Sequence, residues 1–311
     1  MNDLKSGIII LNKPTNISSN SAVNKVKKIL GAKKVGHLGT LDPLASGVLP
    51  ITVNKATRLF DYFLNKNKCY SAIFTFGFET STLDSEGQIV KFDEKCDVNF
   101  EKVQKIVKNF VGKQSQMPPL FSAKKIDGQK AYELARKGKL VELKPKEIEI
   151  LSLEVCEISE KEINKIEDFF LKNNKDTNFD KTKLNFSLSY EFKISCSSGT
   201  YIRSLCRDIA QELGTVATMT SLVRTKAGNF ELKDAINFED VTENSLLKVD
   251  NYIDLPILEI SKDQKKDLLC GRNVTIEIAD GMFKLFCEQI LIGIAIVKDK
   301  ILKIKTFLLE E

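Results

Sequence analysis

The stretch Gly36-His37-Leu38-Gly39-Thr40-Leu41-Asp42-Pro43-Leu44-Ala45-Ser46-Gly47-Val48-Leu49-Pro50 decides how this chain of 311 residues is read. It holds the only histidine of the sequence, and its glycines and prolines bracket a single carboxylate. Glycine supplies backbone conformations that other residues resist, and proline fixes its own φ. Such a loop has a defined shape and holds Asp42 at a defined point. Read alone, Asp42-Pro43 is an ordinary turn opener, with Asp first and Pro second.

Outward from the loop, the pattern is mixed. Ile8 to Leu11 reads as a short buried strand. Ser18 or Ser19 can cap a helix to about Leu30, with Val23, Val26, Ile29 and Leu30 on one face and Gly31 as its stop. A helix is predicted from Ala56 to Leu64, a strand with an aromatic face from Tyr70 to Phe78, and a helix from Phe100 to Phe110. Leu184 to Cys196 alternates apolar and polar residues throughout, which predicts one long half-buried strand. Thr200 is placed to cap the next helix, which ends at Gly214. Strands and helices without a regular βαβ repeat predict an α+β fold with a mixed sheet. Apolar runs at Val274–Ile278, Phe283–Val297 and Ile301–Leu309 predict a small β-rich C-terminal unit.

The segment Glu157 to Lys183 is charged and rich in asparagine. It is read as a flexible insertion at a hairpin tip, with at most a short helix around Ile163 to Phe170, whose removal would only shorten a loop.

Composition narrows the function. The formal net charge is +5. That balance is compatible with nucleic acid without being diagnostic of it. Nearly all basic residues are lysines, so each of Arg58, Arg136, Arg203, Arg207, Arg224 and Arg272 invites a question about planar recognition. Seven scattered cysteines with no Cys-x-x-Cys pair read as free thiols in a reducing cytoplasm. No signal peptide is expected, and no apolar run reaches membrane-spanning length. One histidine and dispersed cysteines offer no zinc-ligand spacing, and no phosphate-loop or dinucleotide motif points to a cofactor.

The loop resembles the signature loop of the TruB-type tRNA pseudouridine synthases, and further motifs follow in order. These are Gly7 to Pro14 with Ser18-Ser19-Asn20, then Lys68-Cys69-Tyr70, then Met117-Pro118-Pro119-Leu120-Phe121-Ser122-Ala123-Lys124-Lys125, and finally Ser198-Gly199-Thr200-Tyr201-Ile202-Arg203. The resemblance implies a pseudouridine synthase catalytic domain over 1–250, with a thumb-like RNA-binding insertion at about 117–146 and the charged insertion at about 157–183. It implies a small PUA-like domain over 251–311. It implies conversion of uridine to pseudouridine at position 55 in the T-loop of tRNA, without metal or cofactor, by a protein expected to be a monomer that binds the T-arm. The alternatives are a pseudouridine synthase for another RNA and a non-catalytic RNA-binding or RNA-folding protein on the same scaffold.

By the resemblance Asp42 is the essential carboxylate. Arg203 is its partner, a guanidinium holding it anionic through two donors, where the sequence alone offers only an arginine at a helix start. Tyr70 packs on the target uracil and relays a proton, and Tyr201 and Leu222 line the base pocket. Read alone, Tyr70 and Leu222 are core residues. His37 fills the space left by a flipped base, where its plain reading is a structural histidine in a turn. Lys13 and Lys124 are expected to touch the RNA. Asp61 and Asp84 read as surface or turn residues.

Overall fold

The computed structural model describes residues 4–63, 66–119, 125–126, 129–130, 143–174 and 180–309. Strand β1 (Gly7–Lys13) leads into helix α1 (Ser19–Leu30). Ser18 caps this helix, its hydroxyl accepting from the Ser21 amide at 3.0 Å, and Gly31 stops it at φ 60°. Ala22, Val23, Val26 and Leu30 face inward, whereas Ile29 is exposed, so the buried stripe is turned slightly from the one expected. Strands β2 (Val35–His37) and β3 (Ser46–Val53) flank the signature loop. The predicted helix after Val53 is a 3-10 helix, Asn54–Tyr62. Next come β4 (Lys68–Phe76), β5 (Phe78–Thr80) and β6 (Ile89–Phe92), then α2 (Phe100–Ile106) and β7 (Gly112–Gln116).

Two short strands, β8 (Lys125–Ile126) and β9 (Gln129–Lys130), pair within the expected thumb-like insertion, most of which lies outside the described residues. Strand β10 (Lys146–Glu157) follows, then α3 (Glu160–Asn173), β11 (Ser189–Cys196), α4 (Ile202–Glu212), β12 (Ala217–Ala227) and β13 (Phe230–Glu231).

The main sheet has nine strands, in the order β1-β3-β12-β4-β11-β10-β7, with β2 on β3 and β13 on β12. All these pairings are antiparallel except β3 with β12, where Ser46 and Gly47 face Val223 and Arg224. The mixed sheet expected from the sequence is therefore present. Gly47 has φ +98°, and a Cβ there would lie 2.3 Å from the Arg224 carbonyl oxygen. Only glycine lets the loop's exit strand approach β12 this closely. The alternation of β4 holds, with Ala72, Phe74 and Phe76 fully buried against Phe192 and Met219 of the main core.

Two expectations are corrected. The first is the unbroken strand from Leu184. The chain instead makes a 3-10 turn at Phe186–Leu188, where the Asn185 carboxamide oxygen accepts from the Ser187 amide and hydroxyl, and β11 starts at Ser189. The second is the insertion. Residues Glu160–Asn173 form a helix with a complete capping box between Ser159 and Glu162. Its Ile166 and Phe170 are buried with Phe78 and Phe186, whose rings meet Phe170 edge-on at 5.0 and 5.6 Å. Ile163, Ile166 and Phe170 recur at helical spacing and supply an apolar face that the surrounding charges obscured.

The C-terminal unit contains β14 (Ile257–Glu259), helix α5 (Lys262–Leu269), β15 (Val274–Thr275), β16 (Gly281–Cys287), β17 (Ile290–Lys298) and β18 (Ile301–Phe307). Its five strands form a separate sheet ordered β14-β16-β17-β18-β15. The expected run Phe283–Val297 is broken by a hairpin turn at Glu288 and Gln289, both at positive φ. Ile294 and Leu308 share a buried cluster with Ile8, Ile10, Leu38 and Val48 of the main body. The signature loop thus rests partly on the C-terminal sheet.

Candidate active site

The central feature is a cavity of about 680 Å³ between the signature loop, the starts of β4 and α4, and the middle of β12. Asp42, Tyr70, Tyr201, Arg203 and Leu222, all expected at the site, line it together. Lys68, Lys146 and Arg224 line it as well, and Asp42 is the one acidic residue in that lining among the described residues. A cavity with several cations and one carboxylate suits a polyanion carrying a group to be worked on.

Asp42 and Arg203 are paired: Arg203 Nη2 lies 2.9 Å from Asp42 Oδ2. The Arg203 side chain is 7% exposed and that of Asp42 33%, so the carboxylate opens onto the cavity while the guanidinium closes its back. Besides Asp42, the Arg203 guanidinium reaches a second carboxylate. Arg203 Nη1 lies 3.3 Å from Asp84 Oδ2 and donates to the Thr82 carbonyl at 3.0 Å.

Asp84 corrects its reading as a surface or turn residue: it sits in a turn, but fully buried. Its Oδ1 accepts from the Thr82 hydroxyl at 2.5 Å and from the Glu86 amide at 3.1 Å. Burial pushes its carboxyl above the ordinary range, and Arg203 and the Thr82 hydrogen bond pull it back.

The start of α4 is fixed by a residue the sequence did not single out. Gln116, almost fully buried on β7, donates from Nε2 to the Tyr201 carbonyl at 3.1 Å and accepts the Tyr201 amide on Oε1 at 2.9 Å. Tyr201 is the N-cap. The expected cap, Thr200, instead donates its hydroxyl to the Ser197 carbonyl at 3.0 Å.

Arg224 is the second residue that sequence reasoning missed. It is the register partner of Tyr70 in the β12–β4 pair, and both line the cavity. Its guanidinium also donates to the carbonyls of Val48, Thr40 and Gly39 at 2.8, 3.2 and 3.0 Å. One buried cation therefore holds both ends of the loop that carries Asp42. Burial lowers its pKa below the ordinary arginine value, and Tyr70 and Asp42 oppose that. Burial pushes the Tyr70 hydroxyl up to about 12, so it is a neutral phenol near pH 7.

Lys13 was expected to bind substrate, but it is fully buried and does not line the cavity. Its ammonium donates to the carbonyls of Pro14, Ile17 and Pro43 at 2.8, 2.9 and 3.3 Å. The reason is that the turn after β1 folds two carbonyls back over the end of that strand and the signature loop supplies the third, that of Pro43. Lys13 ties the loop down from beneath. His37 ends β2 beside the cavity, where its Nδ1 accepts from the Gly39 amide at 3.3 Å. Burial, then the Arg224 charge, hold it below its usual pKa and so neutral at pH 7. Lys124 lies outside the described residues.

The site thus sets an aspartate on a shaped loop, backed by a buried arginine at a helix start, in a cation-rich cavity on a mixed sheet. The sequence matches the family model of the TruB family pseudouridylate synthase (N-terminal domain) over residues 27–202, and that of the tRNA pseudouridylate synthase B C-terminal domain over 203–257. A tRNA pseudouridine synthase B from Mesoplasma florum is 40% identical over 82% of this chain and 80% of its own length. One from Aquifex aeolicus is 36% identical over 97% of this chain and 99% of its own length. The chain belongs to the TruB family of pseudouridylate synthases. A solved Cbf5-Nop10-Gar1 complex contains a chain with the same fold at TM-score 0.68 and 22% identity, covering 99% of this chain and 86% of that one.

Proposed function

We propose that this chain converts uridine to pseudouridine at position 55 in the T-loop of tRNA. The single observation that carries the reading is Asp42, the one carboxylate among the described residues that line a cation-rich cavity, held by a buried arginine. The relatives named tRNA pseudouridine synthase B supply the substrate class.

The reaction breaks the C1′–N1 bond, turns the uracil and joins C1′ to C5. N1 gains a proton and C5 loses one. The C5 proton leaves to solvent and N1 takes one from it, so composition and oxidation state are unchanged, and the needs are a carboxylate, a closed cavity and a held base. Asp42 is the reacting carboxylate. Arg203 holds it in place at the cavity wall. Tyr70 packs on the uracil as a neutral phenol, and Tyr201 and Leu222 form the remaining walls. A base in a folded loop must be extruded to reach this depth, and His37 fills the space it leaves. Lys13 and Arg224 hold the loop, and Lys124 and the 117–146 insertion grip the RNA.

The unit over 1–250 is the catalytic body, and 251–311 is a PUA-like unit that extends the RNA surface. The chain acts as a monomer in the cytoplasm. The seven cysteines, none in a disulfide, fit a reducing compartment. The test is incubation of purified protein with an unmodified tRNA transcript, followed by carbodiimide primer extension. A single new stop one nucleotide 3′ of position 55 supports the reading; a stop elsewhere or none refutes it.

A further inference from the structure

Helix α3 touches the site from behind. Asn174, at the helix C-cap, is almost fully buried. Its Nδ2 donates to the Phe170 carbonyl at 3.1 Å, which ends the helix, and to the Ser85 carbonyl at 3.0 Å. Ser85 directly follows Asp84. At the other end of the same β5–β6 hairpin, Phe78 packs edge-on against Phe170. The helix therefore grips this hairpin twice, once at its first strand and once at the turn.

Leu83 sits at φ +63°, an unfavourable value for a side-chain-bearing residue. The Ser85 hydroxyl reaches the Thr220 carbonyl at 3.3 Å, and the Leu83 carbonyl accepts from the Met219 amide at 3.1 Å. These contacts tie the turn to β12. Asn174 ties it to the opposite side, so the turn is clamped between sheet and helix, and Asp84 leaves the clamp pointing at Arg203.

We propose that the 160–174 insertion is part of the catalytic apparatus, with Asn174 as a positioning residue that sets Asp84, and through Asp84 sets Arg203 against Asp42. This deepens the function proposed above and rests on it. A charged segment on the surface thereby governs turnover through the hairpin that carries Asp84.

The test uses full-length protein carrying Asn174→Ala, Asn174→Asp (same shape, no donor), Asp84→Asn and the pair Asn174→Ala/Asp84→Asn, with exposed Lys161→Ala as control. Single-turnover pseudouridine formation, tRNA affinity and melting temperature are measured for each. Both Asn174 variants should remain folded at the assay temperature and bind tRNA within about twofold of wild type, while the rate falls on the order of tenfold. The control should match wild type. In the Asp84→Asn background, Asn174→Ala should cost less than about twofold, because the group it positions is already altered. An unchanged rate, an equal loss in both backgrounds, or a loss carried by tRNA affinity would overturn the proposal. A wild-type protein without activity would refute the function and not this inference. Hydrogen exchange settles that case: residues 80–88 should exchange about tenfold faster in Asn174→Ala, and unchanged exchange there overturns the positioning role.

Discussion

Arg203 Nη2 lies 2.9 Å from Asp42 Oδ2, and the guanidinium making this contact is nearly closed to solvent while the carboxylate opens onto the cavity. The same guanidinium reaches Asp84 on its other side. One cation between two carboxylates explains why an arginine stands here: a lysine ammonium is a point charge and cannot span both partners. Arg203→Lys is expected to lower the single-turnover rate by more than about a hundredfold with little change in tRNA affinity, since many phosphate contacts carry binding. Arg203→Ala leaves Asp84 buried without its cation and should cost about 3–5 kcal/mol of stability. Rapid-quench kinetics and urea melts check both, and a near-normal rate for Arg203→Lys would contradict the bridge.

Lys13 gives a pH prediction. Burial lowers its ammonium to about 8 from an ordinary 10.5. Between those values the folded chain binds fewer protons than the unfolded chain, so this residue's contribution to stability rises with pH across the window. Below about pH 8 both states are charged and the burial cost is complete. The stability of wild type minus that of Lys13→Met should therefore stay flat up to about pH 8, then rise by up to about 3 kcal/mol toward pH 10.5. Denaturant melts at pH 7, 9 and 10 measure it. A difference that falls in that window would contradict the placement of Lys13.

The insertion helix yields a stability prediction opposite to the silent loop its composition suggests. Phe170 is fully buried between Phe78 and Phe186. Phe170→Ala should cost about 3–5 kcal/mol, the usual result of emptying an aromatic core site. Replacing 160–181 by a short turn should likewise lower the melting temperature well beyond a few degrees. Calorimetry of the two variants checks this, and unchanged melting would mean that the helix is only loosely attached.

What the sequence disclosed followed from local rules. Ser18 and Gly31 mark the ends of α1, and the alternation through Phe74 and Phe76 marks β4, because capping and side-chain period are written in neighbouring residues. Asp42, Arg203 and Tyr70 were legible through motifs, and the structure brings them to one cavity. Asp84, Gln116 and Arg224 were not, because a charged or polar residue in a strand or turn looks like surface until its partner's position is known. A signal did exist for Arg224. It lies two residues beyond Leu222, on the same face of β12, and side chains at that spacing share a side of the sheet. The insertion also carried one, in the capping box from Ser159 to Glu162 ahead of Ile163 and Ile166. What it packs against depends on contacts distant in sequence, and a single chain read in order does not contain them.

The central claim is that the Asp42 carboxylate performs the isomerisation. Tritium release from tRNA carrying 5-tritiated uridine tests it most directly, because C5 gives up its hydrogen only when the new C1′–C5 bond is made. Asp42→Asn keeps the shape of the side chain and removes its charge. The account predicts no release above background from this variant, with tRNA affinity within about tenfold of wild type because the phosphate contacts are untouched. Substantial release by Asp42→Asn would contradict it.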